Sequence, residues 1–474
     1  MRASRRSRAS ASTLGRLVST TDPRGLVTGG TPADYTPTFT YDPVGRVLTT
    51  TDAVGAVVSM AYDAAGRPTS VTDALGATTT SEYDAAGQLT AVVDALGSRT
   101  TMTYDGAGRV LAVTDAAGAT TTREYDALGR PVALVDALGR TSRTEYDAGN
   151  RVTATVAPSE ARTTYTYDAV DQLLTVTGPL GGVTTTTYDD AGRPVTVTDA
   201  DGRAVTTTYD DAGRPTVVTR ADASTLSWSY DAAGRVLTYT DAAGVETTYT
   251  YDAAGRRASA TDTAGRTTSY AYGPSGLLDT VTLPDGQHVD YAYDAAGRRT
   301  GIDYSDTTPD VTYAYDDAGR ATAMTDGTGT TGYSYDALGR PLEVDGPDAT
   351  AGYEWDAVGQ LAALTYPTGE VVERAYDDVG QLTSVTDWAD REYGFDWTVD
   401  GQLEQVTYPN GVENAYDYDA AGQVLGITEA SAAGLDMLAL AYGYSDAGLL
   451  VDQGVARTAE GRAPPVVPST SASQ

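Results

Sequence analysis

YDAAGRPTSVTDALGATTTSE, Tyr62–Glu82, is followed at once by another tyrosine, Tyr83, and by the same plan again. The opening hexapeptide YDAAGR returns at Tyr230–Arg235, Tyr251–Arg256 and Tyr293–Arg298. Near-copies include YDPVGR at Tyr41, YDALGR at Tyr125 and Tyr335, and YDDAGR at Tyr188, Tyr209 and Tyr315. From Tyr41 to Tyr293 the anchors fall at twelve consecutive intervals of 21 residues. Looser units follow at Tyr315, Tyr335, Trp355, Tyr376, Trp397, Tyr418 and Tyr444, and an insertion near Ser431–Leu440 stretches the last interval. A fixed period of this length marks a repeat architecture, in which each unit buries its apolar surface only against its neighbours.

Each unit carries D-x-x-G twice, as at Asp63–Gly66 and Asp73–Gly76. An aspartate at the first turn position accepts from backbone N–H groups two or three residues on, and glycine at the fourth supplies a positive φ at no Cβ cost. The pattern predicts type I turns closing hairpins through a glycine bulge. Turns ten and eleven residues apart leave strands of about six or seven residues. Within them the period is two: Val195 and Val197 alternate with Thr196 and Thr198, and Tyr165 shares a face with Tyr167, as Tyr249 does with Tyr251. No 3.6-residue pattern is present, and the Thr, Gly and β-branched content opposes helix. The fold class expected is all-β: a long antiparallel meander of about twenty repeats and roughly forty strands. A sheet of that length twists and curls. Two units would fill a propeller blade of about 40–45 residues, but odd and even units do not alternate, so a continuous spiral is preferred.

Composition agrees with a thin sheet. Of 474 residues, 33 are tyrosine and only two are phenylalanine. Leu, Val, Ile and Phe together fall below the ~20% that, at high net charge, signals disorder; the periodicity and turn chemistry overrule that signal. There is no cysteine, hence no disulfide, no thiolate metal site and no thiol nucleophile. All 32 basic residues are arginines, and the net charge is −33. That charge opposes binding to nucleic acid, whose phosphates need a basic surface. No apolar run reaches the ~18 residues of a membrane-spanning helix, and MRASRRSRASASTLGRLVST lacks the apolar core of a signal peptide. Residues 1–34, basic, and 451–474, Pro/Ser-rich, are expected to be disordered on either side of an array at 35–450.

The whole 21-residue unit, as at Tyr188–Tyr209 or Tyr230–Tyr251, resembles the YD repeat of the Rhs family. That family includes bacterial polymorphic toxins, shell components of Tc-type toxin complexes and animal teneurins. The resemblance implies that the repeats wind into a hollow β-shell, enclosing a C-terminal toxin domain or standing as a barrel in an adhesion receptor. It also implies an extracellular or cell-surface location. Family toxin shells end in a DPxGL-type segment. Here D-P-x-G stands at Asp22–Gly25, followed by Leu26, and at Asp42–Gly45, followed by Arg46, both near the start of the sequence, and Ser445–Leu450 is an echo without the proline. The chain therefore reads as a stretch of repeat array, with no toxin domain in it.

The candidate residues are those of the repeat signature itself: Tyr62, Asp63, Gly66, Arg67, Asp73 and Gly76, and again Tyr230, Asp231, Gly234 and Arg235. The tyrosine is expected to fill the sheet, the aspartate and glycine to make the turn, and the arginine to support it by pairing with an acid or stacking on a ring. Gln replaces the arginine at Gln88, Gln172, Gln360, Gln381, Gln402 and Gln423, which suits support rather than recognition. Calcium would need six to eight converging oxygens, and one aspartate per turn does not supply them; Asp199-Ala200-Asp201-Gly202 is the densest cluster. A Ser–His–Asp triad would have to use His288, the only histidine, which lies in a turn without a nucleophile elbow. No catalytic, cofactor or metal residue is assigned. The function expected is a structural shell that encloses or displays an effector polypeptide; the alternative is a cell-surface adhesion or carbohydrate-binding module.

Overall fold

The strand Val57–Tyr62 runs through a five-residue turn into Pro68–Thr72, which runs through another into Thr78–Tyr83. Both pairings are antiparallel. This computed structural model describes residues 8–12, 15–26 and 35–457, and across them the same step repeats. The described residues form 42 strands in one sheet that is not closed on itself, with no α-helix among them. One turn of 3₁₀ helix stands at Pro23–Leu26. The strands Arg8–Ala11 and Leu17–Thr21 lie within the expected opening segment, and Leu450–Arg457 within the expected tail. The rest of residues 1–34 apart from these elements and their immediate neighbours, and all of 458–474, are outside the described residues.

The two turns of a unit leave different registers. After the second turn the ladder is regular: Ser70 faces Thr80, Val71 faces Thr79 and Thr72 faces Thr78. At the anchor it slips. Ala61 faces Ser70, but Tyr62 faces Pro68, so Thr69 is one residue too many. The same slip occurs at Tyr125, Tyr188, Tyr251, Tyr293 and Trp397. A bulge bends its strand and increases the local twist, so this array carries one such bend per repeat. Proline at the first residue of a strand, as at Pro68, removes no ladder bond that the bulge has not already given up.

Met60, Tyr62 and Val71 share one face of the sheet, and Ala61, Ser70 and Thr72 the other. On the second face threonines bridge across turns, as in the 2.8 Å hydroxyl pairs Thr72–Thr78 and Thr114–Thr120. Burial is thin. Among the described residues no large side chain is fully buried, and the completely covered residues Ala91 and Ala154 are small. Each sits on a strand bridged by a bidentate ion pair, Glu82 with Arg99 and Glu145 with Arg162. The insertion near Ser431 lengthens a hairpin rather than adding an element: Val424–Ala430 and Asp436–Tyr444 have 7 and 9 residues.

The chain divides into two compact units. One comprises Met1–Met102, Trp228–Glu354 and Thr365–Gly369; the other comprises Thr103–Ser227, Trp355–Leu364 and Glu370–Gln474.

Candidate functional site: a ladder of aspartate, arginine and tyrosine

The first turn of the repeat is closed by its own backbone. Gly66 N–H donates to the Asp63 carbonyl at 3.0 Å, and Asp63 N–H donates to the Arg67 carbonyl at 3.0 Å. Gly66 has φ 90°, in the left-handed region where a side chain is strained. The Asp63 carboxylate then takes Arg67 twice: Oδ1 accepts from the backbone N–H at 2.9 Å and Oδ2 from Nε at 2.6 Å. These donors, the backbone N–H first, hold the Asp63 carboxyl below its ordinary range against the opposing pull of desolvation.

Arg67 does not stop at its own repeat. Its guanidinium lies 4.6 Å from the centre of the Tyr83 ring, and its Nη1 donates to the Asp84 carbonyl at 3.1 Å. Tyr83 answers in the other direction, its hydroxyl donating to the Pro68 carbonyl at 2.8 Å. The joint between these two repeats is therefore a cation–π stack, a charge-assisted hydrogen bond and a tyrosine bond back to the preceding strand. The same joint recurs at Arg46 with Tyr62, Arg130 with Tyr146, Arg151 with Tyr167 and Arg193 with Tyr209. At the second signature copy, Arg235 Nε reaches Asp231 Oδ2 at 2.7 Å and its guanidinium stacks 4.6 Å from the Tyr251 ring. Gly234 N–H donates to the Asp231 carbonyl at 3.0 Å, with φ 85°. Tyr230 closes the strand Thr225–Tyr230.

Two substitutions in the repeat keep this chemistry. Where the anchor is Trp397, the indole Nε1 donates to the Leu382 carbonyl at 2.7 Å, as the tyrosine hydroxyl does elsewhere. Where glutamine stands for arginine, Gln402 Nε2 reaches the Gly422 carbonyl of the next turn at 3.0 Å. Sequence reasoning placed the arginine on an acid or a ring. It missed that both partners are used at once and in different repeats. The signal was present in the fixed 16-residue interval from Arg67 to Tyr83.

The second turn is simpler. Asp73 Oδ1 accepts from the N–H groups of Leu75 and Ala77 at 2.9 and 2.8 Å, and Gly76 has φ 87°. The remaining sequence candidates fall elsewhere. His288 is half exposed, 3.7 Å from Asp290 through Nε2, and its backbone N–H donates to the Ser305 hydroxyl. Glu124 and Glu145 share a depression of about 590 Å³ with Arg143, and Glu145 is held by Arg162. Arg203 pairs with both Asp199 and Asp201, and Asp201 also accepts from Ser445 Oγ at 2.7 Å. Among the described residues no three acids or histidines converge as a metal site would require.

The RHS Repeat family profile matches residues 12–57, 41–79, 62–100, 83–120, 104–141, 125–162 and 146–183. The Teneurin YD-shell profile matches 181–304 and 302–387. No curated protein matches the chain. Among solved structures, the Tc holotoxin pore of Photorhabdus luminescens, carrying a mutation in TccC3, is similar with TM-score 0.67 and 17% identity over 95% of this chain and 29% of that one. The TcdB2-TccC3-Cdc42 structure gives 0.58 and 17% over 94% and 29%, and TcdB2-TccC3 gives 0.57 and 16% over 95% and 29%. At these identities the likeness is one of fold, and this chain spans less than a third of those it resembles. The two profiles adjoin and cover most of the repeat array, whose units repeat the tyrosine, aspartate, glycine and arginine signature; the chain belongs to the Rhs/YD-repeat family.

Proposed function

We propose that this array is wall material, a stretch of β-shell from a YD-repeat toxin or surface protein that encloses or displays another polypeptide. The observation that carries the reading is a single-layer sheet joined repeat to repeat by the Asp–Arg–Tyr ladder and holding almost no core of its own. Such a sheet has two broad faces, which suits a barrier. Its fold likeness to Tc toxin structures supports the same reading. The role is steric and non-catalytic. The partner is an effector polypeptide, and the net charge of −33 favours a basic one. Retention of such a partner weakens as salt screens the attraction.

The test is protease protection of the natural gene product that contains this array. The expected result is that the array and an enclosed, non-repeat polypeptide survive together. Degradation of every non-repeat part at the rate of the same part expressed alone overturns enclosure. A second reading, carbohydrate binding at a cell surface, is favoured by two exposed rings at second turns, Tyr366 at 41% and Trp388 at 54%. Glycan-array binding that disappears in Trp388→Ala with the fold intact would promote it; no binding to any glycan would remove it.

A further inference from the structure

In a D-x-x-G turn the third residue's N–H is normally taken by the first residue's carboxylate, as Leu75 N–H is by Asp73. Among the turns of the second compact unit that lack that first aspartate are Ala157-Pro158-Ser159-Glu160 and Ser445-Asp446-Ala447-Gly448. In both, the third N–H goes to an aspartate far away in sequence. Ser159 N–H donates to Asp400 Oδ1 at 2.9 Å, and Ala447 N–H donates to Asp201 Oδ1 at 3.1 Å. Asp400 and Asp201 are themselves third residues, of Thr398–Gly401 and Asp199–Gly202. In each case an anchor turn of one stretch faces a second turn of the other.

The spacing is the same in both pairs. Ser159 and Asp400 are 241 residues apart, and so are Arg140 and Gln381, joined by a 3.0 Å bond from Nη1 to Oε1. Asp201 and Ala447 are 246 apart. The Tyr418–Tyr444 interval is 26 rather than 21 residues; removing its five extra residues from 246 returns 241. Ser445 adds a second bond at this joint, its hydroxyl donating to Asp201 Oδ2 at 2.7 Å.

We propose that these pairs are register keys: a third-position aspartate facing a turn without its first-position aspartate selects which distant turns of the sheet lie side by side. The selection is both attractive and repulsive. A slip of one repeat would exchange the carboxylates on the exposed Ser159 and Ala447 N–H groups for water, losing the charge-assisted bond. It would also set Asp201 against the Asp419 turn, and in one direction Asp400 against the Asp136 turn, where the third N–H is already taken by a carboxylate of like charge. Asp222, the third residue of Arg220–Ala223, accepts from Ser224 N–H at 2.9 Å through Oδ1 and serves as the control. The rule rests on turn geometry alone and does not depend on what the array encloses.

Hydrogen exchange of the full chain tests it. Asp201→Ala should speed exchange of the 445–449 turn by roughly tenfold, the loss of one to two hydrogen bonds, and leave the 157–161 turn unchanged. Asp400→Ala should do the reverse. Asp222→Ala should move neither. Ala157→Asp supplies a local acceptor for Ser159, so adding Asp400→Ala to it should have no further effect on that turn. The proposal is overturned if neither partner turn responds, if Asp222→Ala moves both equally, or if the 157–161 turn stays sensitive to Asp400 in the Ala157→Asp background.

Discussion

The turns at Asp63–Arg67 and Asp73–Ala77 close with the same pair of backbone hydrogen bonds and the same left-handed glycine. After the first, an arginine leaves its own repeat to cover the ring of the next, and the ladder slips by one residue. After the second there is an alanine, and the ladder stays regular. One turn thus fastens neighbouring repeats along the sheet. The other is left to face outward, and in the second compact unit its residues, Arg140, Ser159 and Asp201, meet anchor turns about 240 residues on. Turns of the same chemistry thus serve two directions of assembly according to their place in the repeat.

Acid should break this comparison most strongly. Asp63, Asp105 and Asp231 are lowered chiefly by the backbone N–H of the following arginine and then by its side chain. A carboxylate lowered in the folded state stabilises fully above its unfolded value of about 4, and that contribution is lost as pH falls through the lowered folded value. Urea midpoints should therefore stay level near neutrality and fall only below about pH 4. Asp262, in a second turn that does end in arginine, is lowered too, first by the Arg266 side chain and then by its backbone N–H. Arg266→Gln keeps the backbone donor and loses the guanidinium, so it should weaken the local acid response, read by exchange of the 262–266 turn; an unchanged response would assign it to the backbone N–H alone.

Glycine substitution comes next. Gly129 and Gly118 have φ 84° and 95° in an anchor turn and a second turn respectively. Valine at either should cost about 1–3 kcal/mol from backbone strain. A Cβ at Gly129 would stand 3.1 Å from Arg109 Nη1, whereas nothing lies within 4 Å at Gly118. Gly129→Val should be the worse of the two in urea unfolding; equal costs would mean that the arginine adds no constraint at the joint.

Tyr125→Phe should cost about 0.5–1.5 kcal/mol, the usual worth of one hydrogen bond, because it removes the 2.8 Å bond to the Val110 carbonyl and leaves the ring under Arg109. Tyr125→Trp should be milder than Tyr125→Phe, since Trp397 supplies the same donor at its own anchor. The smallest effect is expected from Arg67→Gln, with a fall in Tm less than that of Tyr125→Phe. An amide at this position reaches the next turn in Gln402, and the array already uses glutamine there six times. A larger fall for Arg67→Gln would make the cation–π stack, rather than the tyrosine hydroxyl, the main fastening.

The repeat length, the two turns, the alternation of the strands and the antiparallel meander were legible in the 21 residues from Tyr62 to Glu82, because each depends on bonds that span five residues or fewer. The thin core was legible too, from many tyrosines and few aliphatics. The tertiary structure alone decided the bulge opposite each anchor, the reach of Arg67 to both the ring of Tyr83 and the carbonyl of Asp84, and the meeting of Ser159 with Asp400. A single repeat specifies its own turns, but which distant turns come alongside depends on twist and bend summed over many strands, and only then does a missing aspartate at Ala157 acquire its partner.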